Sequence, residues 1–294
     1  MVRRSAIPAN PVDVSCVHRE HRLMSDADLA DMQAHYALGQ EAARLDEAFG
    51  VVEFERTKEI VLRALPAPPA VVADIGGGPG RYALWLADLG YAVEHRDLAP
   101  GHVEHLASQR PEAVRTRVGD ARRLDLGDSS VDAVLLLGPL YHLEVPDERV
   151  TVLREAARIL RPGGLVCAAA ISRWAPRLHG LVAQRLYERY PEMPSLVGEV
   201  EQSGRLVPLY EGSFCGYTHR PAELEAEVRE AGLDLLDLVG VEGLAFALDD
   251  LSERLAEPQA RSVVLEAARA LERVPELLGL SPHMLATARR PREE

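Results

Sequence analysis

Short apolar runs alternate with segments of helical periodicity between about residues 70 and 171. The apolar runs predict buried strands at residues 71–75, 91–95, 114–118, 131–137 and 165–171. The segments between them carry apolar residues at helical spacing and predict helices at residues 82–89, 101–109 and 147–160. Because strands and helices alternate at this spacing, the sequence predicts an α/β fold with a parallel sheet covered on both faces.

The N-terminal region has a different character. Residues 1–24 carry prolines and charges without periodicity, which predicts a flexible arm. Residues 25–65 look helical: Ser25 and Asp28 form a plausible capping box, and a second helix, 51–65, is ended by prolines. We therefore predict an arm and a helical segment over residues 1–65, followed by one α/β domain over residues 66–294.

Residues 172–220 interrupt the strand and helix rhythm with prolines and several glycines. They predict an insertion after the fifth strand that covers the carboxyl edge of the sheet. After the insertion, the pattern predicts a helix, a strand, two helices and a last strand, at residues 221–231, 233–241, 248–255, 260–274 and 283–288.

Composition narrows the classes of function. The 294 residues include 46 acidic and 33 basic side chains, and the net charge of -13 disfavours binding to nucleic acid. No apolar run is long enough for a membrane helix, and residues 1–11 do not resemble a signal peptide. Three widely spaced cysteines favour reduced thiols in the cytoplasm, and we expect no zinc site from them.

The strongest motif is the glycine-rich turn at residues 74–80, Asp-Ile-Gly-Gly-Gly-Pro-Gly, between a predicted strand and a predicted helix. Such a turn lets the backbone approach a ligand and presents the free N–H groups of a helix N-terminus. A dinucleotide fingerprint would need a glycine where Arg81 stands, and no Walker A sequence is present. What remains is an acidic residue, Asp74, that leads a GxGxG pattern.

Two further acids follow predicted strands at the same edge of the sheet. Asp97 lies 21 residues after Gly76, about where Rossmann-like sites place an acceptor for ribose hydroxyls. Asp120 follows the third predicted strand. The alternatives are that Asp97 is a loop acid or a helix cap and that Asp120 is an ordinary turn residue.

The turn 74–80, Asp97, residues 119–121 and residues 160–164 together resemble the class I S-adenosylmethionine-dependent methyltransferases, in particular the bacterial small-molecule type. The resemblance runs from about residue 70 to residue 171 and returns in the final hairpin. It implies a Rossmann-like, seven-stranded sheet whose last strand is antiparallel. It also implies S-adenosylmethionine as the cofactor.

The resemblance further implies roles for individual residues. Gly76 and Gly78 would lie against the methionine part of the cofactor, and Asp97 would hold the ribose. Asp120 and the backbone of Ala121 would bind the adenine amino group, and Leu98 would pack on the ring. Asp74 and Leu137, at the ends of the first and fourth strands, complete the predicted cofactor site.

Residues 35–57 more loosely resemble the helical lid of bacterial small-molecule methyltransferases. If residues 1–65 form such a lid, Tyr36, Arg44 and Arg56 come near the cofactor. An arginine is a natural partner for its carboxylate. The alternative is that both arginines are solvated charges on a helix.

Methyl transfer is an in-line displacement, so the protein must align a nucleophile, exclude water and, where needed, remove a proton. After the fourth strand, Gly138 stands where methyltransferases of planar amines carry an Asn or Asp, which argues against such acceptors. Tyr141 and His142 follow as candidates for contact or for a general base, and His219 is a weaker candidate. The alternative for His142 is a loop histidine bonded to backbone. The histidines show no metal spacing, and we expect no metal.

Five aromatic residues concentrate in the insertion: Tyr187, Tyr190, Tyr210, Phe214 and Tyr217. They predict either an apolar cover for a small organic acceptor or the core of the insertion itself. The leading hypothesis is an enzyme that transfers a methyl group from S-adenosylmethionine to an oxygen or nitrogen of a small metabolite. The alternatives are an RNA or protein methyltransferase and a cofactor-binding sensor without activity.

Overall fold

The computed structural model describes residues 45–109, 114–206 and 215–292. Its α-helices are α1 (Ala48–Ala64), α2 (Arg81–Asp88), α3 (Pro100–Gln109), α4 (Pro146–Ile159), α5 (Met193–Ser203), α6 (Pro221–Glu230), α7 (Leu251–Ala256) and α8 (Pro258–Leu271). Its strands are β1 (Val71–Ile75), β2 (Ala92–Asp97), β3 (Val114–Val118), β4 (Val131–Leu136), β5 (Leu160–Ser172), β6 (Arg205–Leu206), β7 (Gly216–His219), β8 (Asp234–Gly240) and β9 (His283–Arg289).

The main sheet has the strand order β3-β2-β1-β4-β5-β9-β8. The first five strands are parallel, and β9 runs antiparallel to both β5 and β8. Its register with β5 extends from Leu165 opposite Arg289 to Ile171 opposite His283, so β9 begins at the carboxyl edge of the parallel strands. The predicted seven-stranded sheet with an antiparallel last strand is confirmed.

The two remaining strands belong to the insertion and were not predicted. The short β7 pairs in parallel with the end of β5, and β6 pairs with β7 in the antiparallel direction. The insertion also contains a π-helix, Pro176–Ala183, followed by one 3₁₀ turn, Leu186–Glu188. β5 starts at Leu160, earlier than predicted, because residue 160 already pairs with Val131 before the register shifts.

Both faces of the central strands are buried, as continuous apolar strands require. Val134 and Leu136 of β4 pack on one face in a core that includes residues of α4 and α6. Leu135 faces the other way, into a core shared with α1 and α2. Because helices cover both faces of the sheet, the loops that can surround a ligand lie at the carboxyl ends of the parallel strands. Within the described residues, no helix combines the length and hydropathy needed to span a bilayer.

Candidate active site

A cavity that is partly open to solvent lies at the carboxyl edge of the sheet, and its empty space, counted together with its open mouth, is about 1290 Å³. The turns after β1, β2, β3 and β4 form one side of it. Residues of α1, β5 and β9 form the other. Of the predicted site residues, the cavity is lined by Gly76, Gly78, Asp97, Leu98, Asp120, Ala121, Leu137, Tyr141 and His142.

The glycine turn depends on conformations that other residues adopt at a cost. Gly76 and Gly78 have φ angles of 66° and 57°. The Gly76 amide donates to the Arg96 carbonyl at 2.7 Å, which fixes the turn on β2. A Cβ on Gly76 would stand 2.7 Å from Pro139 Cγ, whereas a Cβ on Gly78 would have nothing within 4 Å. The turn therefore packs against the loop after β4 and opens to the cavity at Gly78.

Asp74 lies beneath the turn and does not line the cavity. A Cβ on Gly77 would collide with the Asp74 carboxylate and with the ring of His95. Burial, assisted by the negative charge of Asp97 and only weakly opposed by the Ala83 amide, raises the pKa of Asp74 to about 7. The Asp74 side chain therefore packs against the turn at Gly77 and does not face the cavity.

Asp97, at the end of β2, is tied to the same turn. One carboxylate oxygen accepts from the Gly78 amide at 2.8 Å, and the other accepts from the Ala99 amide at 2.9 Å and contacts His102 Nδ1 at 3.1 Å. Burial opposes ionisation, but the bonds from His102 and the two amides outweigh it and lower the pKa of Asp97. An ionised carboxylate oxygen accepts more than one hydrogen bond, so Asp97 retains acceptor capacity toward the cavity.

His95 is a supporting residue that was not among the predicted site residues. Burial lowers its pKa to about 4, so the ring is neutral at pH 7. Nε2 lies 3.1 Å from the Gly78 carbonyl, and Nδ1 lies 2.9 Å from the Thr116 hydroxyl. Because a carbonyl only accepts, Nε2 carries the hydrogen and the ring holds the turn from below. The available signal was that His95 lies on the same face of β2 as Val93 and Asp97, and both of these residues are buried.

Asp120, which follows β3, lines the cavity, and its carboxylate is paired with the neighbouring Arg122. It accepts from the Arg122 guanidinium at 2.6 Å and from the Arg122 amide at 2.9 Å. These bonds outweigh the effect of burial and lower the pKa of Asp120. Arg122 also donates to Glu148 at 2.5 Å, which fixes the loop next to Ala121.

The N-terminal candidates have different outcomes. Tyr36 and Arg44 lie outside the described residues. Arg56 does not line the cavity, which contradicts its predicted place beside the cofactor. Its guanidinium is buried in ion pairs with Glu59 and Glu272 and lies 3.4 Å from the Val241 carbonyl. The alternative, a solvated charge, does not hold either. The Arg56 guanidinium is buried between α1 and the chain that follows β8.

Tyr141 and His142 both reach the cavity from the 3₁₀ turn Pro139–His142. The Tyr141 hydroxyl donates to the Leu137 carbonyl at 3.0 Å, and the two rings lie 4.9 Å apart. His219, in contrast, is fully buried in β7 and does not line the cavity. Its Nε2 lies 3.1 Å from Glu227, so the catalytic prediction for His219 is wrong because the unpredicted β7 turns it inward.

The described aromatic residues of the insertion do not line the cavity. Tyr190 packs with Leu181, Met193 and Val197 in a separate small core. The guanidinium carbon of Arg149 lies over Tyr217, 3.7 Å from the centre of the tyrosine ring. For these residues the second interpretation, the core of the insertion itself, fits the structure. Tyr187 is exposed, and Tyr210 and Phe214 lie outside the described residues.

Comparison with known proteins decides the family. Residues 73–168 match the model of a methyltransferase domain. A ubiquinone biosynthesis O-methyltransferase from Xanthomonas axonopodis is 32% identical over 187 residues, which cover 62% of this chain and 70% of that protein. The chain belongs to the class I S-adenosylmethionine-dependent methyltransferases. The predicted family and its cofactor are thereby confirmed.

Several other relatives of this methyltransferase match over less of their length. The ubiquinone/menaquinone biosynthesis C-methyltransferase UbiE from Acidiphilium cryptum is 34% identical over 155 residues, 49% of this chain and 59% of that protein. The chain spans only 37–38% of two further curated relatives. A solved 1,6-didemethyltoxoflavin N1-methyltransferase from Burkholderia thailandensis has a TM-score of 0.58 over 96% of this chain and 94% of that one. At 20% identity this likeness shows the shared fold.

The cavity of the methyltransferase also contains a polar group that sequence reasoning missed. Glu53 of α1, Glu242 after β8 and His283 at the start of β9 bring ligand-type atoms within 4.8 Å of one another. We call these three residues the carboxylate–histidine cluster. Glu53 and His283 line the cavity, and Glu242 is buried behind them. The available signal was that a last antiparallel strand starts at the edge where the parallel strands end.

Proposed function

We propose that this chain transfers a methyl group from S-adenosylmethionine to an oxygen or nitrogen of a small metabolite. The observation that carries the proposal is the cavity, whose lining joins the glycine turn and Asp97 to residues of α1, β5 and β9. Bound in this cavity, the cofactor supplies a methyl group already activated by its sulfonium. The protein then has to orient the acceptor and accept its proton.

The predicted cofactor residues suit the parts of S-adenosylmethionine. The open space at Gly78 leaves room for the methionine part against exposed backbone. Asp97, with its lowered pKa, is a charged acceptor for the ribose hydroxyls. Asp120, Ala121 and Leu98 surround the place we assign to the adenine.

The part of the cavity beside α1 suits a small acceptor. Its walls include Leu137, Ala169 and Val241 together with the polar residues Glu53 and Thr57 of α1. An apolar pocket with a few convergent polar groups is typical of small-molecule sites. We propose that residues 1–65 act as a lid on a domain formed by residues 66–294, with α1 as the part of the lid that touches the cavity.

Transfer of label from S-adenosyl[methyl-¹⁴C]methionine tests the acceptor class. We expect wild-type protein to label compounds in a small-metabolite extract, because the charge of -13 disfavours a phosphate backbone. A tRNA arm and a protein arm are run in parallel, since one relative, mouse ALKBH8, is named a tRNA methyltransferase. Label confined to tRNA or protein would contradict the proposal, and binding of cofactor without any transfer would favour the sensor alternative.

A further inference from the structure

The carboxylate–histidine cluster lies on the acceptor side of the cavity. The turns after β1, β2, β3 and β4 form one side of the cavity, and residues of α1, β5 and β9 form the other. His283 is opposite Ile171, at the end of β5 where the cavity is lined by Ala169. A side chain placed here faces a molecule bound next to the cofactor.

Glu242 holds the ring of His283 in one orientation. Its side chain is fully buried, and one oxygen accepts from the Ser281 hydroxyl at 2.9 Å and from the His283 amide at 3.1 Å. The other oxygen contacts His283 Nδ1. An ionised carboxylate only accepts, so the Nδ1 that faces Glu242 carries a hydrogen, and Nε2 is the ring nitrogen that can take a proton.

The titratable groups that face the ring come from three elements. They are Glu242 after β8, Glu53 on α1, whose carboxylate lies 3.9 Å from Nδ1, and His179 on the π-helix. Burial lowers the pKa of His179, and positive charge on His283 lowers it further. Two carboxylates therefore lie close enough to stabilise the positive charge that the His283 ring gains when it takes a proton.

We propose that His283 is the general base of the methyl transfer and that Glu242 is its positioning residue. The inference rests on the proposed function. As the acceptor oxygen or nitrogen forms a bond to the methyl carbon, the carbon–sulfur bond breaks and its electron pair stays on sulfur. The acceptor proton moves to His283 Nε2, and Glu242 and Glu53 stabilise the resulting imidazolium. His142, on the other wall, then contacts cofactor or acceptor without taking the proton.

Matched variants separate these roles. His283→Asn keeps a hydrogen-bond donor toward Glu242 but removes the base. At saturating cofactor, we expect the rate of methyl transfer to compounds in the small-metabolite extract to fall about 10²–10⁴-fold. Calorimetric affinity for S-adenosylhomocysteine should stay within about twofold, because the cofactor side is untouched. His142→Asn should lower turnover less than tenfold. The control His105→Asn, on the exposed face of α3, should change neither quantity. A His283→Asn enzyme with near-normal turnover would overturn the proposal.

Glu242→Gln tests positioning by a readout that a purely structural role does not move. The loss of a carboxylate beside the ring should shift the acidic limb of the rate profile to lower pH by about one unit. In the complex with S-adenosylhomocysteine, the ¹³Cε1 signal of His283, assigned through His283→Asn, should shift its titration midpoint in the same direction. If the titration midpoint of this signal is the same in wild type and in Glu242→Gln, the pairing of Glu242 with His283 is overturned.

Two controls keep the outcomes distinct. If wild-type protein binds S-adenosylhomocysteine but labels no small molecule, the proposed function fails, while the histidine titration still tests the pair. Loss of turnover in EDTA with recovery on added Mg²⁺ or Zn²⁺ would overturn the proposal by assigning the cluster to a cation.

Discussion

Replacing Asp97 by alanine is expected to weaken S-adenosylhomocysteine binding about 10–100-fold. Hydrogen bonds to a charged group contribute roughly 1.5–3 kcal/mol each, and the variant removes the acceptor assigned to the ribose hydroxyls. It also removes the bond that holds the Gly78 amide at 2.8 Å. Titration calorimetry measures the affinity, and thermal unfolding reports whether the fold is retained.

Two variants make this result specific. Asp97→Asn keeps the shape but loses the charge, so its affinity should fall between those of wild type and Asp97→Ala. Asp249→Ala removes an exposed carboxylate outside the cavity and should leave affinity unchanged. Unchanged affinity in Asp97→Ala with an intact fold would move the ribose contact to another residue.

The second large effect is expected at Gly78. A Cβ at this position meets no protein atom within 4 Å, so alanine obstructs only what occupies the cavity. We expect Gly78→Ala to lower the affinity for S-adenosylhomocysteine at least tenfold. The positive φ adds a strain of roughly 1–2 kcal/mol to the folded state, which unfolding measurements will show.

Gly232 provides a matched control for that strain. It has a φ of 79°, has nothing within 4 Å of its Cβ position and lies after α6, outside the cavity lining. Gly232→Ala should therefore lose a similar free energy of unfolding but bind S-adenosylhomocysteine normally. Equal affinities in the two variants would show that the cofactor does not lie against Gly78.

Much of the sheet could be predicted because its central strands, such as β1 and β4, are buried on both faces. β1 and β3 have the predicted bounds, and Asp97 could be placed because it ends β2 at a fixed distance after the glycine turn. The cavity lining after the first four strands follows from the same rule, that the carboxyl ends of parallel strands meet at one edge.

The errors arise where distant segments meet. Arg56 pairs with Glu272, 216 residues away, so no local pattern distinguishes it from a cofactor ligand or a solvated charge. His219 turns inward because β7 pairs with the end of β5. A strand of only four residues is too short for its sequence pattern to predict this contact. Glu242 and His283 are 41 residues apart and meet only because β8 and β9 share that edge.

Titration calorimetry of wild-type protein with S-adenosylhomocysteine and with NAD tests the central claim, that the glycine turn and Asp97 hold an S-adenosyl group. We expect S-adenosylhomocysteine to bind at one site per chain and to raise the melting temperature by mass action. NAD should do neither, because Arg81 replaces the last glycine of a dinucleotide fingerprint. Binding of NAD without binding of S-adenosylhomocysteine would contradict the account.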